Sequence, residues 1–180
     1  AIGFSANAQT KYFFSPNGEG SGESWDDAAA AEYLGVTLAE AEVGDEFYLM
    51  EGKYAPDGTT NKWNIAQGVI IKGGYPTTMT GTNTDIDYTT AGQSVFSADL
   101  DNDGKGDNKD YAFVYVGLAG QEGEKKDGQF YKDAPLTQIW GVTFRDGARQ
   151  DGKYWGNMLF AKHTKLDLHF CKFINNIAPE

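Results

Sequence analysis

The sequence predicts an all-β fold, a right-handed single-stranded parallel β-helix with a short helical N-terminal cap, and two observations carry that expectation. First, Gly68-Val69-Ile70-Ile71-Lys72-Gly73-Gly74 is an apolar, β-branched run closed by a basic residue and glycine, too short for a helix and too apolar for a loop. Second, it returns in kind as Gly141-Val142-Thr143-Phe144-Arg145-Asp146-Gly147, and more loosely as Phe170-Cys171-Lys172-Phe173-Ile174-Asn175-Asn176, where Cys171 and Phe173 take the places of Val142 and Phe144. Like strands separated by polar, glycine-rich turns read as rungs of a solenoid, each burying its apolar face only by stacking on its neighbours.

Composition agrees. A chain of 180 residues fits one domain, and 40% hydrophobic with 14% aromatic residues fills a core and excludes a disordered chain. The 26 acidic against 15 basic residues leave a net charge of −11, a surface that repels phosphate backbones and argues against nucleic acid as a partner. No run is long enough for a transmembrane helix. The lone Cys171 has no partner for an internal bridge and sits in an apolar strand, as a small buried hydrophobe rather than a nucleophile.

From the N-terminus, Ala1 to Gln9 reads as the end of an apolar signal segment with a small-x-small cleavage site at Ala6-Asn7-Ala8. Residues 1–8 are then a signal-peptide remnant, and residues 9–180 the cap and first rungs of a β-helix domain truncated at its C-terminus. Lys11-Tyr12-Phe13-Phe14-Ser15 is a strand broken at Pro16-Asn17-Gly18. Ser24 stands as N-cap with Asp27 three places on, and the alanines from Trp25 to Leu34 suit a helix. Thr37 caps a second short helix through Val43, ended by Gly44. Together these cover one open end of the coil. Asp45 to Tyr54 begins the first full rung.

The order Tyr-Phe-Phe-Ser-Pro-Asn-Gly (12–18), Gly-Ser-Gly-Glu-Ser-Trp (20–25), an alanine-rich helix, then Gly44-Asp45 with an apolar strand and Gly52-Lys53-Tyr54 resembles the N-terminal region of secreted bacterial parallel β-helix proteins of pectin-lyase-like fold. Gly73-Gly74-Tyr75-Pro76, Val95 to Asp101 and the strand Tyr111 to Val116 follow in the order seen there. Phe173-Ile174-Asn175-Asn176 is similar to the Phe-x-x-Asn half of the repeat in chlamydial polymorphic outer-membrane proteins. The resemblance implies a secreted protein, or one on the outer-membrane surface of a Gram-negative bacterium. The expected function is a non-catalytic, adhesin-like passenger binding polysaccharide or a surface protein. The alternative is a polysaccharide lyase or glycoside hydrolase whose active site lies beyond residue 180, although an acidic surface disfavours polyuronate substrates.

One stretch carries explicit chemistry. Counting from Asp99, carboxylates occupy positions one (Asp99), three (Asp101), five (Asp103), nine (Asp107) and twelve (Asp110), with Gly104 at six and the Lys105 carbonyl at seven, the spacing of a calcium loop. Asp110 is shorter than the usual glutamate and the flanks read as strands, so the stretch also fits a solvated turn. As a Ca²⁺ site it would be structural, with affinity near ~10⁻⁴–10⁻³ M.

Elsewhere, alternation in Lys165-Leu166-Asp167-Leu168-His169-Phe170 sends the leucines and Phe170 inward and puts Lys165, Asp167 and His169 on the outer face, the sort of row on which, by the resemblance, pectin-lyase-like enzymes place their chemistry and which ordinary solvated strand positions also produce. Trp25 reads as a plug between cap and core and Trp140 as part of a rung. Trp63 and Trp155, in glycine- and asparagine-rich surroundings, are the candidate glycan platforms, with packing as the competing role. No phosphate loop, nucleophile elbow or zinc-helix motif is present, so no catalytic residue is assigned.

Overall fold

The computed structural model describes residues 9–56, 62–104, 113–117, 134–147, 158–162 and 164–176. In chain order its elements are β1 (Lys11–Ser15), β2 (Ala29–Ala30), α1 (Ala31–Glu40), β3 (Glu46–Met50), β4 (Gly52–Tyr54), β5 (Lys62–Ile65), β6 (Ile70–Tyr75), β7 (Ser94–Ser97), β8 (Phe113–Val116), β9 (Leu136–Trp140), β10 (Val142–Arg145), β11 (Leu159–Ala161), β12 (Lys165–His169) and β13 (Lys172–Ile174). Among the described residues these strands form three parallel sheets. One has six strands in the order β12-β9-β6-β3-β1-β2, the second runs β13-β10-β7-β4, and the third β11-β8-β5. From β3 onward the chain visits the three sheets in rotation.

Three separate parallel sheets with an α-helix overturn the single-stranded right-handed β-helix that the sequence suggested. The three like runs are not successive copies of one rung. Gly68 to Gly74 supplies β6 of the six-stranded sheet, between β3 and β9, whereas the two later runs supply β10 and β13 of the four-stranded sheet. Parallel strands covered on both faces all read as near-continuous apolar runs, so likeness of composition does not assign a strand to a sheet. The later two runs do pair in register, Phe144 opposite Phe173 with rings 5.1 Å apart.

The main core lies where the sheets face one another. Phe47, Leu49, Ile71 and Ile139 enter it from the six-stranded sheet, Phe96, Val142 and Phe144 from the second, and Trp63, Ile65 and Val114 from the third. Each contributes about 1.5–3 kcal/mol by leaving water. Two buried hydroxyls satisfy backbone groups at the sheet corners: Ser94 Oγ accepts from Gly74 N–H at 2.8 Å, and Thr137 Oγ1 from Gly68 N–H at 2.9 Å.

The N-terminal helical region differs from the expected pair of helices. Trp25–Asp27 is a single 3₁₀ turn whose Ser24 makes no side-chain cap, and Ala29 and Ala30 then pair with Phe14 and Ser15 as β2. One helix follows, and Thr37 lies inside it with its hydroxyl donating to the Tyr33 carbonyl at 2.8 Å. Leu34 and Leu38, one turn apart, bury into the main core. The stretch from Asp45 to Tyr54, expected to begin the first full rung, divides at Glu51 into β3 and β4, where Gly52 takes φ of 134°.

The six-stranded sheet is also covered on its outer side near β1, β3 and β6. Phe13, Tyr48, Met50 and Tyr75 form a second apolar cluster there, closed by Trp25 and flanked by Met79 and Ile86. Trp25 Nε1 donates to the Asn83 carbonyl at 2.6 Å and Tyr75 Oη to the Thr84 carbonyl at 3.0 Å, tying the covering segment down. Trp25 is thus a plug, as expected, but on the outer face of the sheet. Among the described residues no helix is long and apolar enough to cross a membrane.

Candidate metal centre and aromatic surface

β7 delivers the chain into the acidic loop. Ala98 N–H donates to the Arg145 carbonyl at 3.0 Å, which holds the corner, and Asp99 follows at only 6% exposure. Asp103 N–H then donates to Asp99 Oδ1 at 3.1 Å and to Asp101 Oδ1 at 3.3 Å, curling the loop over these carboxylates. Asn102 and Gly104 take positive φ of 59° and 79°. Gly104 is the sixth position of the calcium count, where the turn needs a residue without Cβ.

This curl brings one carboxylate oxygen each from Asp99, Asp101 and Asp103 within 4.8 Å of one another. Such proximity is costly without a cation among them. Lys53, reaching across from β4, supplies part of one: its Nζ donates to the Asp99 carbonyl at 2.8 Å, to Asp99 Oδ2 at 3.1 Å and to Asn102 Oδ1 at 2.6 Å. The hard oxygen donors of the three carboxylates suit Ca²⁺. This half of the loop fits the ion, with Lys53 competing for Asp99. Lys105, Asp107 and Asp110, which the spacing assigns to the later positions, lie outside the described residues.

Strand β12 departs from its expected pattern at its end. Lys165, Asp167 and His169 do share the outer side, and Leu166 packs against the main core. Leu168 stands over Ile139 in register but is partly exposed, because β12 is the edge of its sheet. Phe170 does not continue inward. Its φ of 53° breaks the alternation, and its ring, 60% exposed, lies on Tyr88 at 5.1 Å and 4°. Left-handed backbone at a bulky residue is strained and persists only where its surroundings impose it.

His169 belongs to the same surface group. Its ring stacks on Trp140 at 3.8 Å and 11°, and its Nε2 is 4.0 Å from Asp167 Oδ2. Trp140 in turn lies 5.8 Å from Tyr88 and 6.2 Å from Phe170. The four aromatic side chains make one shelf on the outer side of β9 and β12. Burial, reinforced by the nearby Cys171 thiol, pushes the Tyr88 phenol up to about 12. Trp140 Nε1 is buried without an acceptor among the described residues. Gly141 makes room for the shelf, since a Cβ there would meet Tyr88 Cε1 at 2.6 Å.

The two expected glycan platforms fare differently. Trp63 is 1% exposed and stacks on Phe96 at 5.0 Å, so it gives no open ring face to a sugar, although its edge lines a cleft of about 560 Å³ between α1 and β5. Trp155 and residues 1–8 lie outside the described residues. The shelf that the structure shows instead was legible in part: the alignment of the two later runs sets Gly141 over Phe170, and extending it back by one residue sets Trp140 over His169.

The chain matches no family model, no curated protein and no solved structure.

Proposed function

We propose that the chain is a non-catalytic secreted or cell-surface protein, in which parallel sheets present a binding surface to an external partner and Ca²⁺ pins the acidic loop. The observation that carries the reading is the change along the outer face of the six-stranded sheet, roofed at β1, β3 and β6 but bearing the half-buried rings of Trp140 and His169 at β9 and β12 and the exposed ring of Phe170 just after β12. A rigid sheet holds such rings in place before binding, so little ordering entropy is lost. The Ala6-Asn7-Ala8 pattern supports export.

The test is to screen the protein against immobilised polysaccharides and surface proteins while assaying the same polysaccharides for new reducing or unsaturated ends. Retention without new ends is the expected result. Chain cleavage would replace the reading with a lyase or hydrolase.

The calcium part is read from thermal unfolding in millimolar calcium, in magnesium at equal ionic strength, and in chelator. Ca²⁺ that binds only the folded form stabilises it by about 2.7 kcal/mol at a hundredfold excess over Kd. Asp101→Asn with Asp103→Asn abolishes that gain and is neutral or slightly stabilising in chelator. Lys53→Met lowers stability in chelator and enlarges the calcium gain, because the ion no longer competes for Asp99. Coincident midpoints in all three solutions would leave the loop a turn.

A further inference from the structure

We infer that the outward face of α1, together with the cleft between α1 and β5, is a docking surface for a short basic amphipathic segment of another protein. This surface lies apart from the outer face of the six-stranded sheet, and its role does not rest on the one proposed above.

The outward face of α1 carries residues that the stability of the helix does not ask for. Leu34 and Leu38 bury into the main core and explain the inner side. Glu32, Tyr33, Val36, Ala39 and Glu40 are all exposed on the other side, with Tyr33 at 55% and Val36 at 53%. Positions 33, 36 and 40 follow the spacing of one helix face, so the two large apolar side chains stand together there rather than scattered singly. The charges conflict with helix chemistry as well. Ala31–Glu40 holds no Lys, Arg or His, and Glu40 ends it, at the terminus where the helix dipole disfavours a carboxylate. A face that departs from both rules at once is expected where a partner, and not the helix, sets the residues.

The cleft supplies a socket for an apolar anchor. Tyr33, Val36 and Ala39 form one wall of its 560 Å³, with Pro56 and the edge of Trp63 opposite. Trp63 is held by its stack on Phe96, so that wall is fixed before binding. Lys62 also borders the cleft, but its ammonium lies over the ring of Tyr115 at 5.3 Å. Charge selects the occupant. An apolar patch set between the carboxylates of Glu32 and Glu40 is complementary to an apolar side chain flanked by lysine or arginine. Anionic lipid is repelled from the same carboxylates, and a second copy of this chain would bring a further −11 to the contact.

The full chain is titrated, by fluorescence anisotropy at about 0.15 M salt, into a labelled peptide of leucine and lysine patterned as an amphipathic helix. A leucine-glutamate peptide of the same pattern and phosphatidylserine vesicles are the comparisons, and the mass of the protein is followed by sedimentation. Saturable binding of the leucine-lysine peptide is expected. Tyr33→Ala with Val36→Ala should weaken it about tenfold, as should Glu32→Gln with Glu40→Gln, and because these side chains are exposed the unfolding midpoints should stay near that of the parent. Glu19→Gln with Glu23→Gln removes as much charge from another exposed stretch and should leave the affinity unchanged. An equal loss in that control, or binding that survives Tyr33→Ala with Val36→Ala, would mean attraction to bulk charge and overturns the docking surface. So does comparable binding of the leucine-glutamate peptide or the vesicles, or no binding of the leucine-lysine peptide at ~100 μM. Self-association that Tyr33→Ala with Val36→Ala abolishes overturns it too, since the face would then pair two copies of this chain.

Discussion

At β1, β3 and β6 the outer face of the six-stranded sheet carries Phe13, Tyr48 and Tyr75, sealed under Trp25 and the segment through Met79 and Ile86. At β9 and β12 the same face carries Trp140 and His169, and the stack formed there is finished by Phe170, whose outward face is open to solvent. Ring stacking is shared: Phe13 lies on Tyr48 at 5.2 Å and 16°, much as His169 lies on Trp140. Cover is what differs. Among the described residues a segment closes over the first row, while at the second only Tyr88 reaches Trp140, and strand chemistry is nearly the same in both places.

Removing the roof gives the largest effect. Trp25→Ala deletes the ring that packs against Phe13, Tyr48 and Tyr75 and should cost about 3–5 kcal/mol in denaturant unfolding. A loss no greater than that of an exposed ring would erase the distinction between the two regions. Gly141→Ala comes next, at about 1–3 kcal/mol, because its Cβ collides with Tyr88 and with the Gly73 carbonyl at a φ of 64°. It should also alter the environment of Trp140, read as a change in near-ultraviolet circular dichroism. Phe170→Ala, on the open side, should shift stability by no more than about 0.5 kcal/mol, and a cost comparable to Trp25→Ala would mean that the shelf is core.

The smallest effect is absent at neutral pH. Tyr88 titrates near 12 in the folded protein and near ~10 in the unfolded chain. Because the folded value is the higher, its contribution is whole below about pH 10 and is lost as pH climbs toward 12. Denaturation midpoints across that interval should fall less steeply in Tyr88→Phe than in the parent. Parallel curves would show that the hydroxyl is as wet as in an open loop.

Much of this was decided locally. The bounds of β1 and the central residues of β6, β10 and β13 follow from short apolar runs ended by glycine, proline or asparagine, since burial selects β-branched and aromatic residues wherever a strand is covered. Gly104 at the turn of the acidic loop, and Phe144 opposite Phe173, were legible for the same reason: spacing along the chain is retained in the fold. Tertiary structure alone decided which sheet each strand joined, because pairing partners lie tens of residues apart and every covered parallel strand reads alike. It also placed the helix start at Ala31, where β2 pairing with β1 claims the alanines that local propensity assigned to a helix. Whether a ring became core or surface was likewise set from outside its own strand. Trp63 is closed in by Phe96, and Phe170 is turned out by its backbone onto Tyr88, contacts made by chain distant in sequence.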